Sequence, residues 1–339
     1  MAFFCSLTFI FIYLEGSDNG AEELLKGALK ASEEFPELAF VLSVTEPERF
    51  SDLLSGINSS ENKGAVPKKI EILTASDIIR TDEPAMCIFK GRDSSSMAMA
   101  LDVLKKDEEA LGLLSAGNTG ALMVGSIFRL GMKEGLKQPA LSTMLPNVSG
   151  GMTTLVDCGA NVNIEAAELK SFARLGSDFV SRMFDIEKPK VALLNVGREE
   201  GKGSPLYAEA YPLLKELGDS GEINFIGNAE GYDIITGYAD VIVCDGFAGN
   251  VVLKVTEAVG KCALSIVESA HLKLTASPAE NSPEHSFTEI EDKLKELFVF
   301  NERGGATFLG TKKPVIKMHG CATADTVVSC ADQLLRITR

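Results

Sequence analysis

Hydrophobic and polar residues follow two alternating patterns along most of the chain. Short apolar runs rich in β-branched and aromatic residues are separated by longer segments in which apolar residues recur every three or four positions. The short runs predict buried strands, and the longer segments predict amphipathic helices. Strands and helices in alternation are typical of a parallel sheet covered by helices on both faces. The sequence therefore predicts an α/β fold, with three α/β/α layers around a mostly parallel, doubly wound sheet.

The pattern predicts ten strands and eight helices. The strands are expected at residues 9–14, 38–44, 69–73, 111–114, 140–145, 153–157, 191–196, 223–226, 241–244 and 315–318. The helices are expected at residues 22–34, 95–106, 119–130, 166–184, 206–217, 251–274, 288–298 and 325–336. Two polar stretches, residues 59–69 and 277–286, are predicted to be loops because the alternation resumes after each. The pattern leaves open whether the strands form one sheet or two lobes.

The first apolar run, residues 3–14, has the hydrophobicity of a secretory signal. It lacks the basic segment and the small-residue cleavage site that such signals carry. At about a dozen residues it is also shorter than the roughly 20 needed to span a bilayer. We therefore expect it to form a buried first strand.

Charge and cysteine content narrow the class of protein. The 339-residue chain has 33 basic and 48 acidic side chains and a formal net charge of −15. This balance argues against binding to nucleic acid, which requires a broad basic surface. The seven cysteines form no C-x-x-C pair and the three histidines form no H-E-x-x-H pattern, so neither a disulfide framework nor a zinc site is indicated. We expect a cytoplasmic protein without a metal or other cofactor.

Four glycine-containing turns each follow a predicted strand and precede a predicted helix. In a doubly wound sheet such turns meet at the carboxyl ends of the strands, where ligands bind. The first turn, residues 115–121, contains Gly117, Asn118, Thr119 and Gly120. Its small residues allow the backbone to approach an anion, and a helix N-terminus favours negative charge. Asn118 or Thr119 would bind a phosphate oxygen or cap the helix, and the sequence leaves both roles open.

The second turn, residues 157–163, presents a carboxylate and two amides at a strand end. Asp157 would orient a catalytic group or a water molecule, or it would stabilise the turn by accepting hydrogen bonds from neighbouring N–H groups. Asn161 is one of the two amides in this turn. Cys158 is disfavoured as a nucleophile because no histidine is near it in sequence.

The third turn, residues 195–204, precedes a helix predicted to begin near Pro205. It differs from the Walker A pattern because its glycines are one residue too close and a glycine follows the lysine. A nucleotide-hydrolysing P-loop is therefore not predicted. The turn still offers cations and backbone donors to a phosphate, with an ordinary solvated turn as the alternative. Its candidate residues are Gly197, Arg198, Gly201 and Lys202.

The fourth turn, residues 245–250, leads into a long apolar helix. Gly246 and Asn250 are near the expected helix N-terminus, and Lys254 follows one turn later. These residues would bind an anion or form an ordinary turn and cap. None of the four turns contains the G-x-G-x-x-G pattern of dinucleotide-binding folds. Together they predict a site for an anionic, phosphate-containing ligand, without identifying a reaction.

Eight ordered sequence blocks cover nearly the whole chain and resemble the bacterial phosphate acyltransferases of the PlsX family. They are DNGAEELLKGAL (18–29), LSAGNTGALM (114–123), DCGANV (157–162), NVGREEGKG (195–203), NFIGNAEG (224–231), ADVIVCDGFAGNVVLK (239–254), GGATFLG (304–310) and VIKMHG (315–320). The resemblance implies one α/β domain over residues 1–339, either as one body or as two lobes with the active-site cleft between them. It also implies a fold similar to phosphotransacetylases and to isocitrate and isopropylmalate dehydrogenase-like enzymes.

The resemblance implies transfer of a fatty acyl group from acyl carrier protein to inorganic phosphate. The acyl phosphate product would supply phospholipid synthesis through a membrane glycerol-3-phosphate acyltransferase. It implies a cytoplasmic homodimer that associates peripherally with the inner face of the cell membrane. The apolar faces of the predicted helices 251–274 and 288–298 would form the dimer interface, with lipid contact as the alternative. Docking of the acidic carrier protein would require a local basic surface. Candidates for that surface are Lys105, Lys106, Lys188, Lys190, Lys312 and Lys313.

Phosphate already carries the charge of a nucleophile, so such an enzyme has to hold it beside a thioester and stabilise the developing oxyanion. Asp157 and Asn161 are predicted to arrange the reacting groups. His319 is predicted to donate a proton to the leaving thiolate. Five residues are predicted to cradle the phosphate: Asn118, Thr119, Gly120, Lys202 and Asn250.

The chain departs from the family pattern at several turns. Residues 13–18 read YLEGSD where the family has approximately D-A-M-G-G-D, and Glu165 replaces a lysine. Arg198 replaces an acidic residue, and residues 319–323 read HGCAT where the family has HGSSD. These departures leave a noncatalytic scaffold of lipid synthesis open as an alternative. A second alternative with the same chemistry is a phosphotransacetylase-like enzyme that uses acyl-CoA.

Overall fold

The structure, a computed structural model, describes four segments of the chain: residues 8–60, 69–275, 284–298 and 304–339. The chain divides into two compact units. Unit 1 comprises Met1–Pro139 and Asn301–Arg339, and unit 2 comprises Ala140–Phe300. Among the described residues, no helix combines the length and the apolar content that a bilayer crossing requires.

The described strands and helices alternate along most of the chain. The strands are β1 (Thr8–Tyr13), β2 (Leu38–Val44), β3 (Ile70–Thr74), β4 (Ala110–Ser115), β5 (Ala140–Pro146), β6 (Met152–Val156), β7 (Lys190–Leu194), β8 (Asn224–Ala229), β9 (Val241–Val243), β10 (Ala306–Leu309) and β11 (Val315–Lys317). The helices are α1 (Ala21–Glu34), α2 (Pro47–Ser60), α3 (Ser96–Lys106), α4 (Thr119–Gly125), α5 (Ala166–Phe184), α6 (Pro205–Asp219), α7 (Gly231–Thr236), α8 (Gly246–Thr275), α9 (Glu284–Phe298) and α10 (Ala324–Thr338).

The strands of unit 1 follow the order β3-β2-β1-β4-β11-β10. All neighbouring pairs are parallel except β10, which is antiparallel to β11. Helices α1 and α10 cover one face of this sheet, where their apolar residues join one hydrophobic cluster with β1 and β2. The two helices pack closely, since a Cβ added at Gly27 would lie 2.6 Å from the Cβ of Val327. The loops after β1, β4 and β11 leave the sheet at one edge because these strands are parallel.

The strands of unit 2 follow the order β5-β6-β9-β7-β8. Strand β5 is antiparallel to β6, and the other neighbouring pairs are parallel. Helix α5 approaches this sheet closely, since a Cβ added at Gly176 would lie 2.7 Å from Val241. The carboxyl ends of β6, β9 and β7 lie side by side, so the loops that follow them share one edge.

The predicted α/β fold class, with its mostly parallel sheet, is confirmed. Each of the ten predicted strands is present, with its ends shifted by at most three residues. The helix predicted at residues 119–130 is instead α4 followed by a π-helical turn, Ser126–Leu130. The helix predicted from residue 251 begins five residues earlier, at Gly246, because Asp245 caps it.

Four of the described elements were not predicted: α2, α7, β10 and a short 3-10 helix at Ala85–Phe89. Helix α7 spans only six residues and β10 only four, too few for a periodic pattern to show. The predicted loop at residues 59–69 was wrong at its start, because Ser59 and Ser60 belong to α2. Similarly, the end of the predicted loop at 277–286 belongs to α9. Apart from Lys69, the rest of these two stretches lies outside the described residues. Residues 3–7 of the first apolar run also lie outside them.

Candidate active site

Three loops of unit 1 meet at the carboxyl ends of β1, β4 and β11, and we call residues 15–19, 116–120 and 318–322 the unit 1 loop cluster. The loop after β1 contacts the loop after β4, since a Cβ added at Gly16 would lie 2.9 Å from the Cα of Gly117. It also contacts the loop after β11, where the Asp18 N–H donates to the Gly320 carbonyl at 2.7 Å. The glycines therefore permit three backbone segments to converge.

Gly117 lies against a buried tyrosine in this cluster. A Cβ at residue 117 would lie 2.4 Å from Cε1 of Tyr13, so a larger residue would displace either the loop or the ring. The Tyr13 hydroxyl donates to the Ile79 carbonyl at 3.0 Å, and burial raises the pKa of this phenol. Tyr13 therefore acts as a neutral packing group beneath the loop.

Both polar atoms of the Asn118 side chain form hydrogen bonds within the protein. Its Oδ1 accepts the Ala121 N–H at 2.9 Å and caps α4. Its Nδ2 donates to three backbone carbonyls in the preceding segment, those of Arg80, Thr81 and Glu83, at 2.8–3.2 Å. Of the two roles that the sequence left open, the contacts of Asn118 are those of a helix cap.

The next two residues present unused backbone donors. The N–H groups of Thr119 and Gly120 have no hydrogen-bond acceptor in the part of the chain that the structure describes. Thr119 is exposed, and Gly120 is half-buried against Ala85. Because these are the first N–H groups of a helix, they point outward from its positive end. They are able to donate to an anion without breaking an existing bond.

The last residue of β11 contributes a cation, and the loop after β11 contributes an imidazole. Nζ of Lys317 donates to the Ala116 carbonyl at 3.1 Å and also to the Met318 carbonyl, which places an ammonium at the end of β4. Nδ1 of His319 lies 3.0 Å from Sγ of Cys321 and accepts the Cys321 N–H at 3.3 Å. Sequence reasoning found His319 but missed Lys317 and Cys321, although the VIKMHG block and the H-x-C spacing show both residues.

In unit 2 the corresponding loops follow β6, β7 and β9, and we call residues 157–161, 195–203 and 245–250 the unit 2 loop cluster. Asp157 is fully buried at the start of the first of these loops. Its Oδ1 accepts the N–H groups of Leu141, Gly159 and Ala160, and its Oδ2 accepts the backbone N–H and Nδ2 of Asn161. These are the contacts of a carboxylate that stabilises a turn. Burial raises the pKa of Asp157, and the hydrogen bonds from Ala160, the Asn161 side chain, Gly159 and Leu141 oppose that rise.

The N-terminus of α8 packs directly on the Asp157 loop. A Cβ added at Gly249 would lie 1.8 Å from the Asp157 carbonyl oxygen, so only glycine fits there. The N–H of Gly246 donates to the Asn161 carbonyl at 2.8 Å. Oδ1 of Asp245 accepts the next two N–H groups of α8, and the Asp245 carbonyl accepts that of Gly249. The first donors of this helix are therefore all occupied within the protein.

Two predicted residues lie beside this junction. Asn250 is exposed, and its Oδ1 would lie 3.5 Å from a Cβ added at Gly159. Its amide has no hydrogen-bond partner among the residues that the structure describes. Nζ of Lys254 pairs with Glu257 at 2.8 Å. Cys158 is 2% exposed, and burial raises the pKa of its thiol well above the ordinary value, which disfavours a nucleophilic role.

The predicted cations of the loop after β7 have different surroundings. The Arg198 guanidinium pairs with Asp233 at 2.6 Å and stacks on the Tyr238 ring, with 4.0 Å from Cζ to the ring centroid. It is therefore anchored to α7 and the residues after it. Lys202 is exposed and only 4.0 Å from Glu199, so its ammonium is loosely paired.

The predicted glycines and a tyrosine complete this loop. A Cβ added at Gly197 would lie 2.9 Å from Glu199, whereas Gly201 has a φ of +78° with open space around it. Tyr207 in α6 was not predicted, yet its hydroxyl donates to Oδ2 of Asp245 at 2.6 Å. Within unit 2, therefore, the structure brings Asp157, Asn161, Gly246 and Asn250 together, while Arg198 faces α7.

Comparison with known proteins agrees with the resemblance seen in the sequence. The profile of a family described as fatty acid synthesis protein matches residues 10–337. A protein of Thermoanaerobacter pseudethanolicus named phosphate acyltransferase is 37% identical over 326 residues, which cover 94% of this chain and 90% of that protein. A phosphate acyltransferase of Clostridioides difficile is 34% identical over 327 residues, which cover 96% of this chain and 91% of that protein.

The chain belongs to the phosphate acyltransferase family. The predicted family and the predicted enzyme class, acyltransferase, are thus confirmed. A phosphate acyltransferase of Bacillus cereus, 36% identical over 320 residues, covers 94% of this chain and 91% of its own.

Solved structures confirm the fold expected for this family. A phosphotransacetylase from Streptococcus pyogenes has a TM-score of 0.63 at 16% identity and covers 98% of this chain and 96% of its own. A branched-chain phosphotransacylase from Enterococcus faecalis has a TM-score of 0.60 at 16% identity, covering 98% and 99%. At this level of identity the likeness concerns the fold alone. The roles predicted for individual residues of this phosphate acyltransferase family member stay predictions.

Proposed function

We propose that this chain transfers a fatty acyl group from the thioester of acyl carrier protein to inorganic phosphate, forming an acyl phosphate for phospholipid synthesis. The observation that carries the proposal is the family match over residues 10–337, whose relatives bear the name phosphate acyltransferase. The open donors of the unit 1 loop cluster support it, because the nucleophile of this reaction is an anion.

Phosphate would bind at the start of α4. The unused N–H groups of Thr119 and Gly120 supply two donors at a helix N-terminus, and the Lys317 ammonium adds positive charge at the end of the adjacent strand. Such a site orients phosphate and requires no base to activate it, since the attacking oxygen is already charged. At the end of the reaction that oxygen is bonded to the acyl carbon, and the carrier thiol has been released.

The acyl donor and the assembly belong to the same proposal. Lys105, Lys106, Lys188, Lys190 and Lys312 are exposed and available to an acidic carrier protein. Lys313 is a poor candidate, because its ammonium donates to the carbonyls of Asp107 and Ala110 and burial lowers its pKa. We also propose a homodimer in the cytoplasm that associates with the membrane and delivers acyl phosphate to a glycerol-3-phosphate acyltransferase. The exposed apolar residues of α8 support a contact surface there: Val251, Val255, Val259, Ile266 and Leu272.

The test is direct formation of the product. The purified full chain is incubated with labelled phosphate and with acyl carrier protein that bears a long-chain acyl group as a thioester. The acyl phosphate is trapped with hydroxylamine as the hydroxamate. We expect a hydroxamate that depends on both substrates, and a higher rate with acyl carrier protein than with acyl-CoA. A higher rate with acyl-CoA would indicate the phosphotransacetylase-like alternative. No hydroxamate from either donor at high enzyme concentration would refute acyl transfer and favour a noncatalytic scaffold.

A further inference from the structure

Cys321 differs from the other described cysteines in having both exposure and a nearby base. Cys87, Cys158, Cys244 and Cys330 are buried. Cys262 is exposed on α8, and no hydrogen bond to its thiol is present among the described residues. Cys321 is exposed in the loop after β11, with its Sγ 3.0 Å from Nδ1 of His319. A thiol within hydrogen-bond reach of an imidazole is the pairing that nucleophilic cysteines require.

The hydrogen bonds indicate which nitrogen of His319 is the acceptor. The Cys321 backbone N–H donates to Nδ1 at 3.3 Å, and a donor there requires a lone pair on that nitrogen. The Cys321 sulfur lies 3.0 Å from the same Nδ1, within hydrogen-bond reach of that lone pair. Nδ1 is therefore placed to receive the thiol proton as the sulfur becomes a nucleophile.

The surrounding loops hold this pair within the unit 1 loop cluster. Nδ2 of Asn19 donates to the Cys321 carbonyl at 2.9 Å and to the Ala322 carbonyl at 3.2 Å. On the other side of the pair, the Met318 N–H donates to the Ser115 carbonyl at 2.8 Å, which joins β11 to the strand preceding the open donors of α4. The thiol and those donors thus lie on loops that follow neighbouring strands.

We propose that Cys321 is a covalent acyl acceptor, and this inference rests on the proposed acyl transfer. The Cys321 sulfur attacks the carbonyl carbon of the donor thioester while its proton moves to Nδ1 of His319. The bond from that carbon to the carrier sulfur breaks, and His319 returns the proton to the leaving thiolate. A phosphate oxygen then attacks the acyl-Cys321 thioester, releasing acyl phosphate and the Cys321 thiolate, which is reprotonated from solvent through His319. Each half-reaction exchanges one acyl bond for another and needs no oxidant or reductant.

The experiment separates the two half-reactions. The full chain is mixed, without phosphate, with acyl carrier protein that bears a long-chain acyl group. The intact mass of the full chain and the amount of released carrier thiol are measured. We expect an adduct with the mass of one acyl group, approaching one per chain, on the peptide that contains residue 321. Added phosphate should discharge it as acyl phosphate. Cys321→Ala should form no adduct, whereas Cys262→Ala should form it as the wild type does.

Two variants keep the result independent of folding. Cys321→Ser retains a hydroxyl near His319 and should fold as the wild type does by circular dichroism, yet lose the rapid release of carrier thiol. Acyl phosphate formation at an unchanged rate in folded Cys321→Ala, with no adduct on the wild type, would overturn the inference and leave the proposed function standing. An adduct on Cys321 that phosphate never converts to acyl phosphate would refute the proposed function and retain Cys321 as an acyl acceptor.

Discussion

The two loop clusters both lie at the carboxyl ends of parallel strands, but they use their backbone donors differently. In the unit 2 loop cluster, Asp157 accepts five N–H bonds and Asp245 occupies the first turn of α8. In the unit 1 loop cluster, the Asn118 side chain caps α4 by accepting one N–H group, that of Ala121. The N–H groups of Thr119 and Gly120 have no acceptor among the described residues. A buried carboxylate therefore closes one cluster, while an amide leaves the other open to an anion.

The difference follows from the chemistry of the capping side chains. A carboxylate accepts with both oxygens, so Asp157 and Asp245 each organise several donors at once. An asparagine has one acceptor oxygen, and its NH₂ group must find acceptors of its own, which Asn118 finds in the segment from Arg80 to Glu83. The sequence difference between DCGAN and SAGNTG thus separates a turn whose N–H groups are bonded to a carboxylate from a helix start with two unused N–H groups.

Gly249→Ala should have the largest effect of any single change in either cluster. Its Cβ would meet the Asp157 carbonyl at 1.8 Å, so the α8 junction has to move, and we expect a loss of about 3 kcal/mol or more in the free energy of unfolding. Gly231→Ala is the matched control, because nothing lies within 4 Å of its Cβ, and it should change stability by less than about 0.5 kcal/mol. Urea unfolding followed by circular dichroism measures both. Equal stability of the two variants would show that α8 does not pack on the Asp157 loop.

Asp157→Asn should cause the second-largest loss in the free energy of unfolding. An asparagine keeps the shape but offers one acceptor oxygen to five donors, and it turns an NH₂ group toward some of them. Buried donors without an acceptor cost about 1–3 kcal/mol, so we expect a loss near 2 to 3 kcal/mol in unfolding free energy. Asp18→Asn, in the other cluster, changes a carboxylate that is exposed, and it should alter stability by less than about 0.5 kcal/mol. Similar losses in both variants would remove the contrast between the clusters.

The sequence was sufficient to predict the turns after β4, β6, β7 and β9, but it did not show which of them lie together or how their N–H groups are used. Hydrophobic runs place β4, β6 and β9 because buried parallel strands are continuously apolar, and the polar turns after them follow from that. The partners of the turn residues are remote: Asn118 bonds carbonyls 35–38 positions earlier, and Arg198 pairs with Asp233, 35 positions later. Such contacts depend on tertiary structure, which a local pattern does not encode. The His319 and Cys321 pair is the opposite case, since a spacing of two residues shows it directly.

Thr119→Pro tests the open donors of the unit 1 loop cluster. Proline at the first position of a helix removes the N–H without disturbing the helix, and the preceding Asn118 already has the extended ψ of 112° that proline favours. A hydrogen bond to a charged group is worth about 1.5–3 kcal/mol, so the KM for phosphate should rise roughly 10- to 100-fold. Thr119→Ala keeps the N–H and loses the side chain, and it should retain most of the phosphate affinity. A larger effect of alanine than of proline would assign binding to the hydroxyl instead.

Arg198→Ala should cause the smallest loss of stability that is still measurable. It tests whether the Arg198 guanidinium stabilises the fold or binds phosphate. The guanidinium is 46% exposed while its partner Asp233 is 6% exposed, so solvent screens the pair and about 1 kcal/mol of stability should be lost. Lys202→Ala removes a cation 4.0 Å from Glu199 and should cost less than about 0.5 kcal/mol. Measuring phosphate KM alongside unfolding separates the roles. An Arg198→Ala enzyme with normal stability and a raised phosphate KM would show that the guanidinium leaves Asp233 to bind substrate, as the sequence alone predicts.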